Sequence, residues 1–129
     1  MAYEGNQITW SFVAAADLSS SQYKFVKLDS NGKIADIAAA TDVPIGVLQD
    51  KPTAGQTGTV VMFGITKVQA DASITAAQAI GTSADGQADV KIAGTDITEY
   101  AVGQVLLAAG AAGRIATVVI DCIAPNRAV

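Results

Sequence analysis

The sequence predicts an all-β protein. The expected form is a small barrel or sandwich of short antiparallel strands, with an extended N-terminal arm and at most one or two short helical turns. Three observations lead there. Half of the chain is apolar but aromatics are only 5%, so the core must be built mainly from Val, Ile, Leu and Ala. The apolar runs are short and are separated by turn formers such as Asn31-Gly32, Asp85-Gly86 and Gly113. Residues 43–68 read as strand, turn, strand, and the rest of the chain is organised around them. At 129 residues the simplest division is residues 1–13 as an arm or edge strand and 14–129 as one β-rich domain.

The elements follow in order. Ile8, Trp10 and Phe12 alternate with Thr9 and Ser11, a strand period. This segment is either an edge strand of the domain or an arm that adds to a partner's sheet. Asp17 and Ser19 are candidate caps of a short helical turn within residues 14–21. Residues 23–28 are a strand, Asn31-Gly32 a hairpin turn, and 33–37 the returning strand.

In the central stretch, Ile45, Val47 and Leu48 form one arm, and residues 60–65 the other. Pro52 has no N–H to give a ladder, and Gly55 and Gly58 suit the turn. Gly46 and Gly64 lie inside the arms, which predicts a bulge, a bend or a close backbone approach at each. Residues 69–80 are Ala-rich; propensity allows a helix, but the weak apolar face favours loop and short strand. Residues 82–87 turn and 90–92 pair back. Residues 100–109 fit a helix face or a buried strand, with Gly103 against the helix. Residues 114–123 are a strand ended by Pro125. The sum is roughly eight to ten short strands.

Composition excludes several classes of function. The formal net charge is −4 and the basic residues are scattered from Lys24 to Arg127, so no nucleic-acid partner is expected. No apolar run is long enough to cross a bilayer as a helix, so no membrane partner is expected either. No signal peptide is visible at the start, which predicts synthesis in the cytoplasm of the cell that makes the protein.

There is no His, which removes the usual catalytic triads and the common zinc sites. Asp29, Asp42, Asp50, Asp85 and Asp96 all lie in turn contexts, where side-chain bonds to backbone are expected. Asp29-x-Asn31-Gly32 matches a fragment of a calcium loop, but the position of the closing Glu is Ala40, so no metal is expected. No dinucleotide or Walker A glycine pattern occurs, and no cofactor is expected. Cys122, the single cysteine, lies in an apolar run and reads as a small buried hydrophobe. The chain is read as no enzyme.

Three blocks carry a resemblance. They are Pro44-Ile45-Gly46-Val47-Leu48-Gln49 with Pro52, Gly55, Gln56, Val60 and Gly64; residues 16–28 (ADLSSSQYKFVKL); and residues 102–107 with Ala112-Gly113-Arg114-Ile115. Together they resemble the capsid decoration, or capsid cement, proteins of tailed bacteriophages. The resemblance spans most of the chain, and its motifs mark a fold rather than reacting groups. It favours strand for residues 100–109. It implies a virion protein that binds the outside of an expanded capsid as a homotrimer at local three-fold positions, with the major capsid protein as partner.

Tyr3, Ile8, Trp10 and Phe12 are the candidate capsid-contact residues, chosen because they place the only Trp near a terminus. Two other readings compete. One is a small β-barrel module for a ligand or carbohydrate, disfavoured by the shortage of aromatics. The other is a tail or head-completion protein.

Overall fold

Strand β5 (Thr57–Gln69) runs through the centre of the structure, a computed structural model that describes residues 5–129. Its thirteen residues are rich in β-branched side chains and include no Pro, so it can hold partners on both edges. Residues 60 and 61 pair with both β1 (Gly5–Val13) and β4 (Gly46–Leu48). Residues 63 and 65 pair with both β1 and β10 (Ile115–Asp121). A strand has one neighbour on each edge, so β1 lies along one edge of β5, and β4 followed by β10 lies along the other.

The remaining strands extend this sheet in both directions. β2 (Phe25–Leu28) pairs with β4 and with β3 (Ile34–Asp36). β9 (Gly103–Leu107) pairs with β10 and with β6 (Ala79–Thr82), which carries β7 (Ala88–Val90). The nine-stranded sheet is antiparallel and curls strongly into a half-barrel. A two-stranded sheet of β8 (Tyr100–Ala101) and β11 (Asn126–Arg127) sits beside it. The all-β expectation holds.

The short helical turns are not formed: no helix occurs among the described residues. At residues 17–24 the Asp17 carboxylate accepts from the Ser19 N–H, and bonds from Ser21 to Leu18 and from Lys24 to Ser21 close two separate turns. The N–H groups of Tyr23 and Phe25 then go to the distant carbonyls of Leu48 and Gly86, so neither turn propagates.

The core explains the unbroken apolar runs. Successive side chains on a strand point to opposite faces, yet Phe25 and Val26, Val47 and Leu48, and Val60 and Val61 are all fully buried. The first member of each of two pairs, Phe25 and Val47, joins the large cluster with Val61, Val68, Val118 and Ile120. Val26, Leu48 and Val60 join a second, smaller one with Ala14, Leu18 and Ile34. β2, β4 and β5 are thus covered on both faces, because the curled sheet and the 14–18 segment fold over the outer side.

Gly46 is required at this crossing. A Cβ there would overlap the carbonyl of Val61 and sit 2.6 Å from Cγ1 of Val60.

Candidate docking surface

β1 positions the predicted contact residues. Tyr3 lies outside the described residues. Ile8 and Trp10 are strongly exposed, at 51% and 64%. Phe12 is half-buried and packs against the smaller cluster, so it anchors the strand as well as facing outward. The register sets Ile8 opposite Phe63, itself 41% exposed, and Trp10 opposite Val60. Three large apolar side chains therefore stand in solvent around one strand pair.

The backbone of β1 is pinned at its start. Gly64 has φ +119°, and a Cβ there would overlap the Asn6 carbonyl, so only glycine allows β1 to lie this close. Irregular register between Gly5, Ile8 and Thr9 marks a bulge. The Gln7 carboxamide donates to the Ile65 carbonyl at 2.9 Å.

Among the described residues, no strand other than β5 pairs with β1. Its outer edge meets a neighbour only past its end, where Ala14 bridges Ile34. The nine residues of β1 include no charge and no Pro, the devices that usually guard an edge. A segment paired with a strand of its own sheet has that edge occupied; its other edge stays free, and Ile8 and Trp10 stay exposed.

The side chains of the two clusters pack the inside of the curl. Two polar surface grooves lie on either side of Ser20. One, about 400 Å³, is lined by Ser21, Lys24, Asp36 and Asp85 among others. The other, about 250 Å³, is lined by Ser19, Ser20, Gln22, Tyr23, Lys51 and Gln69. Tyr23 has φ +61°, a left-handed conformation costing a non-glycine residue about 1–3 kcal/mol. It is held there by its N–H to the Leu48 carbonyl and its own carbonyl to the Gln69 N–H, both 2.7 Å.

The carboxylates are occupied with backbone. Asp29 accepts from the Asn31 and Lys33 N–H groups. Asp42 accepts from Ala38 and Ala39 and from the Lys27 ammonium. Asp50 accepts from Thr59 across the central hairpin, and Asp96 from Ile92. In the turn at Asp85 it is Ser83 that does this work, its hydroxyl accepting from the Asp85 and Gln87 N–H groups.

Partial burial pushes the Asp42 carboxyl up, but the two N–H groups and Lys27 outweigh it and hold it below the usual carboxylate range. Burial, then the Asp121 charge, pushes the Cys122 thiol up to about 12, so the thiolate nucleophile is suppressed at neutral pH.

One cluster escaped sequence reasoning. The Lys91 side chain is fully enclosed, with its ammonium bonded to Asp89 at 3.1 Å and to Glu99. Nothing in the spacing of three charges on an irregular segment marks such a triad. The two exposed isoleucines beside it, Ile92 and Ile97, show that this corner is otherwise thinly packed.

No family model matches the chain, and no curated protein matches it. Five solved chains do. One is the head fiber gp8.5 N base of bacteriophage phi29, which superposes with a TM-score of 0.66 over 91% of this chain and 96% of that chain. The identity is 20%, so what the two chains share is the fold.

Proposed function

We propose that this protein is a non-enzymatic structural component of a tailed-phage virion, fixed to the outer surface of the head. The observation that carries the reading is the fold shared over nearly the whole chain with the base of a phage head fiber. The blocks at residues 16–28, 43–64 and 102–115 that resemble capsid decoration proteins support it independently.

The finer reading is a decoration subunit whose partner is the major capsid protein. It acts as a homotrimer over local three-fold positions and clamps neighbouring capsid subunits. Each contact need not be strong, because a trimer engages several capsid subunits at once and gains avidity. The docking element is β1: its free edge supplies backbone groups for strand addition, and Trp10, and Ile8 with Phe63 opposite it, supply apolar area.

Purified protein mixed with expanded, undecorated capsids is expected to bind saturably and to raise the temperature at which the shells open. Trp10→Ala is expected to weaken that binding about tenfold or more, as losses at aromatic interface anchors commonly do. Binding that does not saturate, or shells that open at an unchanged temperature, removes the reading. A compact trimer by solution mass measurement supports the oligomer, and a tubular or ring assembly instead points to a tail or head-completion role.

A further inference from the structure

We infer that the groove between the 19–24 loop and the start of the 49–52 segment is a binding site for a carboxylate-bearing peptide segment, separate from β1. The proposal goes beyond the docking reading and does not need it.

Three observations carry it. First, Tyr23 is held in a backbone conformation that a tyrosine avoids, at φ +61°, and the surroundings over-determine it. Its N–H and carbonyl are bonded to β4 and β5, and carboxamides brace the loop on both sides. Gln22 donates to the Gln49 carbonyl and Gln69 to the Gln22 carbonyl, both at 2.9 Å. Gln49 in turn donates to the Thr66 hydroxyl at 3.0 Å. The groove wall is therefore rigid before any ligand arrives, which lowers the entropy lost on binding.

Second, one cation lines this groove and another stands over the ring of a lining residue. Lys51 lines the groove. The Lys67 ammonium sits 5.7 Å from the centre of the Tyr23 ring, so the ring seats it at the groove margin. Neither makes an ion pair among the described residues, which is equally true of Lys24, Lys33, Arg114 and Arg127.

Third, the lining is polar throughout. The Ser19 and Ser20 hydroxyls stand beside the lysines, with the Tyr23 ring as the one aromatic surface. An acidic side chain on an extended segment matches this: its carboxylate takes the ammonium groups and a hydroxyl. The net charge of −4 repels anions at long range, so recognition is confined to a group that reaches the groove itself.

The test is a titration of isotope-labelled protein followed by amide chemical shifts. An oligoglutamate peptide, an oligoglutamine peptide and inorganic phosphate are added separately at matched ionic strength. Oligoglutamate is expected to shift the Tyr23, Lys51 and Gln69 amides saturably, with a Kd on the order of 1 mM that weakens as salt is raised. Lys51→Gln combined with Lys67→Gln is expected to raise the Kd about tenfold while leaving the β1 amides in place. Tyr23→Asn, which tolerates positive φ, is expected to keep the fold and lose affinity through the unseated Lys67.

The proposal is overturned by oligoglutamine or phosphate acting as strongly as oligoglutamate, by shifts that persist unchanged in the double-lysine variant, or by no saturable shift at all. The salt dependence is read on the unaltered chain, so it decides even if a variant misfolds. None of these outcomes bears on capsid binding through β1, which is measured with shells.

Discussion

Replacing Lys91 by Met tests how the 88–101 segment is held to the sheet. The Lys91 side chain is fully enclosed, while its partners Asp89 and Glu99 are 38% and 21% exposed. Met keeps most of the aliphatic stem that passes the missing side chain of Gly81, where an added Cβ would lie 3.0 Å from the Lys91 Cε. The substitution therefore removes the charge and little of the packing.

Breaking a buried pair from one side costs about 3–5 kcal/mol. Here the stranded carboxylates can regain water, so the expected loss is about 2–3 kcal/mol. With a urea slope of about 1.5–2 kcal/mol/M, the unfolding midpoint is expected to fall by about 1–2 M. Glu99→Gln is expected to cost at least as much, because it leaves the enclosed ammonium with one half-exposed partner. Lys91→Met together with Glu99→Gln is expected to cost less than the sum of the two, by about 1 kcal/mol or more. A Lys91→Met midpoint within about 0.3 M of the parent, or strictly additive losses, refutes the claim that this triad fixes the segment.

Three further outcomes follow from the structure. Gly46→Ala sets a methyl into the Val61 carbonyl between two cores, and is expected to destabilise by about 3 kcal/mol or more in the same urea assay. Asp42 has a folded-state pKa below 3.8, so its contribution is complete above that value and is lost as the pH falls through the folded value. Asp42→Asn should therefore flatten part of the loss of stability seen by acid titration below pH 3.8 and leave no such step above it. Cys122, buried and pushed up to about 12, is expected to resist a thiol reagent at pH near 8 in the folded protein and to react at once in denaturant.

The central hairpin was legible because its signals are local. Pro52 and Gly55 (φ +82°) break the chain between Leu48 and Val60, which pair in the structure, whereas Gly58, expected in the turn, lies inside β5 opposite Phe12 because β1 extends the ladder that far. The strand at residues 100–109 is split, β8 ending at Ala101 and β9 starting at Gly103, which neither periodicity nor propensity marks. The helical turn expected from Asp17 and Ser19 failed for a physical reason: a capping side chain makes a helix only if the next residues propagate it. Here Leu18 is pulled into the smaller core and its N–H is taken by Pro52. Ile8, Trp10 and Phe12 share a period, yet Phe12 is claimed by that core and Ile8 and Trp10 are not.

By itself the sequence determined the class of structure: β-branched runs and glycine turns admit strands and little else, and the lack of His leaves the common proton-transfer and zinc chemistry without its residues. Only the folded chain decided which side chains lack a neighbour. Whether β1 keeps a free edge, whether Lys91 is enclosed, and whether Lys51 and Lys67 meet a carboxylate all depend on residues far apart in the chain. Those distances are set when the sheet curls, and no local pattern encodes them.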